Sequence, residues 1–246
     1  MSIALFNGCS FVWGDELQDP MKSRFSKLFA DQTGMEEVNL SICGASNSRI
    51  YRTTIDWIQS NGMPDVMIIV WSGIDRFEYI DPVEKDRYDE YYLQCSPSRI
   101  DQEEFYRKKR ALRSYMTEIT SDYKSSVDTI NYMCEVQHLC ELTNTPLLQY
   151  QFASRHKYTV MTNIESKRIN ERDTAFIEYY KSKLDYLKPY STYGLLDDND
   201  LLGLSMEIGD VEISNRYYGH PLEKSQIMFK DIMIKELEKH YDFRIQ

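Results

Sequence analysis

The chain has 246 residues, 42% hydrophobic and 28% charged, which is enough to bury a substantial core in one large domain or two small ones. Its 29 basic and 39 acidic residues leave a formal net charge of −10, so neither duplex nucleic acid nor an anionic membrane surface is an expected partner. The longest apolar run, Val66 to Trp71, is far short of the roughly 20 residues of a membrane-spanning helix, and Asp15 and Glu16 follow the first apolar stretch where a secretory leader would carry none. A cytoplasmic chain is therefore expected.

In chain order, Ile3 to Asn7 reads as a short buried strand ending at Gly8, and Met21 to Ala30 carries helical spacing through Phe25, Leu28 and Phe29. Glu37 to Ile42 alternates like a second strand. Gly44 breaks it, and Ser46 or Asn47 can cap a helix containing Ile50, Ile55, Trp57 and Ile58. After the turn chemistry of Asn61-Gly62-Met63-Pro64, the uniformly apolar Val66–Trp71 predicts a central parallel strand covered on both faces.

Eight acidic and three basic residues between Asp81 and Glu104 predict an exposed insertion at 81–104. Gln102 to Leu142 reads as helix-rich, with Arg107 to Arg110 on a solvated face and an apolar stripe of Val127, Ile130, Met133 and Cys134. Pro146 to Phe152 is a fourth strand, completing a third βαβ crossover. Residues 153–215 read as a variable helical and loop segment, and an amphipathic helix from Leu222 to Tyr241 closes the chain. The expected fold is a single three-layer α/β domain over 1–246, flavodoxin-like, with a mainly parallel sheet of four to five strands.

Five cysteines form no CxxC pair, and no histidine lies where it would complete a zinc site, so reduced, buried thiols are expected. Asp197 to Asp200 resembles a calcium loop in composition but lacks its glycine and terminal glutamate. No metal and no organic cofactor is implied. A nucleotide-binding module is disfavoured because neither GxxxxGK[ST] nor GxGxxG follows any predicted strand.

Side chains after the carboxyl ends of parallel strands converge on a crevice. The three loops there read Gly8-Cys9-Ser10-Phe11, Cys43-Gly44-Ala45-Ser46-Asn47 and Ser72-Gly73-Ile74-Asp75-Arg76, and Gly219-His220-Pro221 precedes the last helix. A serine hydroxyl needs a neighbouring base at neutral pH, and imidazole has the suitable pKa. A serine directly after a buried strand can expose its Oγ while its own N–H faces a developing oxyanion, and Gly44 permits close backbone approach from the next loop. Ser10 could instead cap the following helix, Asn47 the next one, and His220 could be an ordinary turn residue. His138, His156 and His240 read as structural or solvated, and Trp13 and Trp71 as packing rather than sugar platforms.

In this order the blocks resemble the SGNH/GDSL hydrolase superfamily, and most closely its intracellular members in phage and bacterial genomes. The resemblance implies Ser10 as nucleophile, His220 as general base and Gly44 as an oxyanion donor; Asn47, beside its capping role, is a candidate substrate contact on its position alone. It further implies small-molecule or glycan esters as substrates, with acyl groups on carbohydrate or lipid. Two positions depart from the family pattern. Ile74 stands where the family has an asparagine amide donor, for which Asn47 or Arg76 could substitute. Tyr217 stands three residues before the histidine, where the family has its orienting aspartate. The expectation is a Ser-His dyad esterase, with a backbone carbonyl, Asp210 or Glu212 holding the ring. The rival expectation is a binding or assembly protein that kept the scaffold and lost the chemistry.

Overall fold

The computed structural model describes residues 2–73, 76–80, 92–95, 122–151, 182–183, 186–187, 201–214 and 217–244. Four parallel strands, β1 (Ile3–Asn7), β2 (Glu36–Asn39), β3 (Val66–Trp71) and β6 (Leu147–Gln151), form a sheet in the order β2-β1-β3-β6. The register pairs Leu5 with Val38 on one side and with Met67 on the other, and Ile69 with Gln149. All of β3 is buried, as its unbroken apolar run requires.

The period-2 alternation of side chains divides the core in two. On one face Ala4, Phe6, Val66, Ile68, Val70, Leu148 and Tyr150 meet Phe25 and Phe29 of α3 (Phe25–Thr33) and Phe229, Met233 and Leu237 of α7 (Glu223–His240). On the other, Leu5, Met67, Ile69, Trp71 and Leu147 meet Ile50 of α4 (Asn47–Asn61) and Ile130, Met133 and Val136 of α5 (Asp122–Thr143). The three layers follow from this, since each buried side chain of such size stabilises by about 1.5–3 kcal/mol.

The remaining elements sit at the rim. They are α1 (Ser10–Trp13), α2 (Pro20–Ser23), the antiparallel pair β4 (Phe77–Ile80) and β5 (Tyr92–Cys95), α6 (Leu201–Glu207), and the antiparallel pair β7 (Val211–Ser214) and β8 (Tyr217–Pro221). The sequence reading contains neither hairpin: β5 falls in the expected insertion, β4 and β8 in stretches given no element, and α6 and β7 in the segment read as helical and loop. The expected helix over 21–30 is broken at Arg24, whose backbone is extended (φ −66°, ψ 145°). Its guanidinium turns inward to make two hydrogen bonds to the Glu37 carboxylate, at 2.8 and 2.9 Å, and lies over the Trp13 ring. Most of 81–104 and 153–200, including Asp197 to Asp200 and His156, lies outside the described residues.

Trp71 is fully buried with its indole N–H donated to Gln149 Oε1 and so packs rather than offering a sugar platform, while Trp13 is partly buried with the Arg24 guanidinium 5.5 Å from its ring centroid. Cys9, Cys43, Cys134 and Cys140 are free thiols. No helix among the described residues is long and apolar enough to cross a membrane.

Candidate functional site

The first strand ends in a polar anchor. Asn7, fully buried, donates its amide to Ile50 O and to the hydroxyls of Thr53 and Thr54 on α4, each at 2.9 Å, and its Oδ1 accepts the Gly8 N–H at 2.8 Å. This fixes the direction in which the chain leaves the sheet. Gly8 follows because nothing larger fits: a Cβ there would run into Val12 Cγ2 and come within 2.9 Å of the Val70 carbonyl. Cys9 takes the N-cap position without a side-chain capping bond, and Ser10 is the buried first residue of α1. Ser10 is therefore not the helix cap.

Its hydroxyl lies instead 2.7 Å from Nε2 of His220, a contact across 210 residues of sequence. His220 is held on β8, whose pairing with β7 carries it to the mouth of the first loop. Its ring is about one-fifth exposed and packs against Phe11 at a centroid separation of 5.1 Å. The loop after α1 then folds back on itself. Gly14 is left-handed (φ +85°), the N–H groups of Gly14 and Asp15 both return to Ser10 O, and Glu16 is left-handed as well (φ +72°).

That reversal brings the Glu16 carboxylate to His220. Oε2 accepts the His220 backbone N–H at 3.0 Å, and Oε1 lies 3.2 Å from Nδ1, close enough for an ion pair although oblique to an ideal N–H···O line. Asp15 lies on the other side of the ring, 4.0 Å from Nε2 and nearly half exposed. Asp210, a sequence candidate for holding the imidazole, is engaged elsewhere: its carboxylate accepts the Ser225 N–H at 2.6 Å at the start of α7. The side chain of Glu212 lies outside the described residues, as do those of Tyr217 and all of Ile74.

The second and third loops border the pair. Asn39 at the end of β2 donates to Val12 O at 3.1 Å, tying the second loop to α1, and Gly44 in that loop adopts φ +84°. Ser46 caps α4 by accepting the Arg49 N–H, which leaves Asn47 inside the helix. Asn47 turns toward the third loop. Its Oδ1 accepts the Ser72 N–H at 2.7 Å, and its Nδ2 donates to Ser72 O at 3.1 Å and to Thr129 Oγ1 at 3.0 Å. Both amide protons are thus directed at the protein, and Asn47 forms a clamp between two loops and α5. Arg76 likewise donates to Ser72 Oγ at 2.8 Å. Of the other histidines, His138 is exposed on α5 and His240 faces Glu236 on α7. No group of three or more metal-ligating side chains occurs among the described residues.

Glu16 is the neighbour of His220 that sequence reading missed. The only signal for it is an acidic pair immediately after Gly14, and nothing local shows which way a glutamate with positive φ will face.

The chain belongs to DUF6071, a family of unknown function, whose model matches residues 21–201 and so reaches neither Ser10 nor His220. No curated protein matches the sequence. Among solved structures, the chain is similar to the psychrotrophic esterase EstA from Pseudoalteromonas sp., with 12% identity, coverage of 97% of this chain and 98% of that one, and a TM-score of 0.50. It is similar to TesA at 9% identity, 97% and 99% coverage and a TM-score of 0.50. A protein of the lipolytic G-D-S-L family from Desulfitobacterium hafniense matches at 10% identity, 96% and 100% coverage and a TM-score of 0.48. At such identities the likeness is one of fold alone: a parallel four-stranded sheet flanked by helices.

Proposed function

We propose that this chain is a serine esterase of the SGNH type, formed by the whole of 1–246 as one domain and acting on O-acyl groups of carbohydrate or lipid. The observation that carries the reading is the 2.7 Å approach of Ser10 Oγ to His220 Nε2. The Ser10 proton passes to Nε2 as Oγ bonds to the acyl carbon, and the carbonyl electron pair moves onto oxygen. The N–H groups of Ser10 and Gly44 receive that oxyanion. When the tetrahedral species collapses, the bond to the alcohol breaks and His220 returns its proton to the departing oxygen. Water then attacks the acyl-enzyme with His220 again as base, releasing the acid and restoring Ser10. The clamp of Asn47 on Ser72 supports the reading by holding the third loop still beside this chemistry.

The second reading, a scaffold that binds without catalysis, rests on Ile74 and Tyr217 at the family's asparagine and aspartate positions. A fluorophosphonate probe separates the two. The wild type is expected to take up one phosphonyl group on Ser10, and Ser10→Ala and His220→Ala to take up none. An unlabelled wild type, or labelling that persists in Ser10→Ala, overturns the esterase.

A further inference from the structure

We infer that Glu16 is the positioning acid of the Ser10–His220 pair, supplied by the loop that carries the nucleophile rather than by the segment that carries the histidine; the inference rests on the esterase reading above. Three features of the geometry lead to it. The two carboxylate oxygens divide between two groups of one residue, Oε2 taking the backbone N–H of His220 and Oε1 facing its Nδ1. A carboxylate bonded to the main chain and set 3.2 Å from the ring constrains both where the imidazole sits and how it is turned. A carboxylate also only accepts, so the ring nitrogen facing it carries the proton, and Nε2 is left as the acceptor for the Ser10 hydroxyl at 2.7 Å. That is the tautomer a general base requires.

Second, Glu16 occupies the left-handed region at φ +72°, where a side chain bearing a Cβ is disfavoured and glycine is not. A purely structural turn would be better served by glycine, as at Gly14 two residues earlier. A residue kept in such a conformation against its own preference is a mark of functional sites. Third, the alternatives nearby have other employment. Asp210 caps α7 through Ser225, and Asp15 stands 4.0 Å from Nε2, on the nitrogen that faces the serine. When Ser10 loses its proton to Nε2, the ring becomes a cation flanked on its Nδ1 side by Glu16, which stabilises the charge without itself becoming protonated.

The geometry yields a specific result for Glu16→Gln. A glutamine has one acceptor oxygen. If it stays on the His220 backbone N–H, its NH2 group faces Nδ1, and the ring must move its proton to Nε2, where it opposes the serine. The experiment combines fluorophosphonate labelling kinetics with long-range 1H–15N NMR of the imidazoles, which is tractable because the chain has four histidines and His220→Ala identifies the relevant one. Wild-type His220 is expected as the Nδ1–H tautomer, and Glu16→Gln as predominantly Nε2–H, with labelling slowed about 10²- to 10⁴-fold.

Glu16→Gly keeps the φ without a Cβ and removes the acid. Its labelling is expected to slow at least 10²-fold while its thermal midpoint is not lowered, a combination that a merely structural glutamate would not produce. Labelling of Glu16→Gln within threefold of the wild type, or an Nε2–H tautomer in the wild type, overturns the assignment. A wild type that does not label at all sinks the esterase, and the tautomer measurement then still decides the place of Glu16.

Discussion

Asn47→Ala tests whether the second and third loops are held together as described. Asn47 is 4% exposed and Ser72 not at all, so truncation strips a buried backbone N–H and a buried carbonyl of their partners at once. Each orphaned group costs about 1–3 kcal/mol, the low end applying where water enters the space left by the amide. Thr129 adds little, because its hydroxyl still donates to Ser125 O at 2.8 Å. The expected loss is therefore about 2–6 kcal/mol, read as a lowered urea midpoint with unchanged slope. Asn47→Asp is expected to do no better. It keeps an acceptor for the Ser72 N–H but sets a carboxylate oxygen against Ser72 O, which the native amide satisfied as donor. A loss below about 1 kcal/mol in Asn47→Ala refutes the clamp. A variant of native stability whose fluorophosphonate labelling nevertheless collapses would return Asn47 to direct contact with substrate.

Gly8→Ala forces a methyl against Val12 and the Val70 carbonyl, and overpacking of this kind costs about 1–3 kcal/mol, a fall of several degrees in thermal midpoint by calorimetry. Glu37→Ala leaves the Arg24 guanidinium buried without its carboxylate, in a pair whose side chains are only 5% and 10% exposed, and is expected to cost about 3–5 kcal/mol in urea unfolding. Burial pushes the Cys140 thiol up to about 12 and the Cys134 thiol up to about 11. Between roughly pH 9 and these values the unfolded chain has released protons that the folded chain retains, so stability is expected to fall as pH rises above about 9 and to be indifferent to these thiols below it. Urea unfolding at a series of pH values checks this, with Cys140→Ala flattening the decline that begins near pH 9. Native alkylation at pH 8, mapped by mass spectrometry, is expected to reach half-buried Cys43 before Cys140.

Much of the layered architecture could be read from local pattern. The unbroken apolar run of β3, the helical spacing in α3 and α7, and the glycines ending the strands each act through neighbours a few residues away, and those neighbours are visible in a line of sequence. The helix break at Arg24 was not legible in this way, since it follows from Glu37, thirteen residues on, offering a buried carboxylate. The β4–β5 and β7–β8 hairpins escaped for a related reason: their strands are only four or five residues long, and pairing defines them more than composition does.

The site divides along the same line. The residue types Gly8-Cys9-Ser10 after a buried strand and His220 before the last helix suffice to single out a candidate nucleophile and a candidate base, because local chemistry restricts which side chains can serve. Their meeting at 2.7 Å, the diversion of Asn47 to Ser72 and the arrival of Glu16 at the imidazole were decided by tertiary structure alone. The first two depend on how the strands and their loops are ordered in space, and the third on Glu16 adopting a backbone angle its own type disfavours. Those choices are made by the free energy of the whole packed chain, and a window of neighbouring residues carries no record of them.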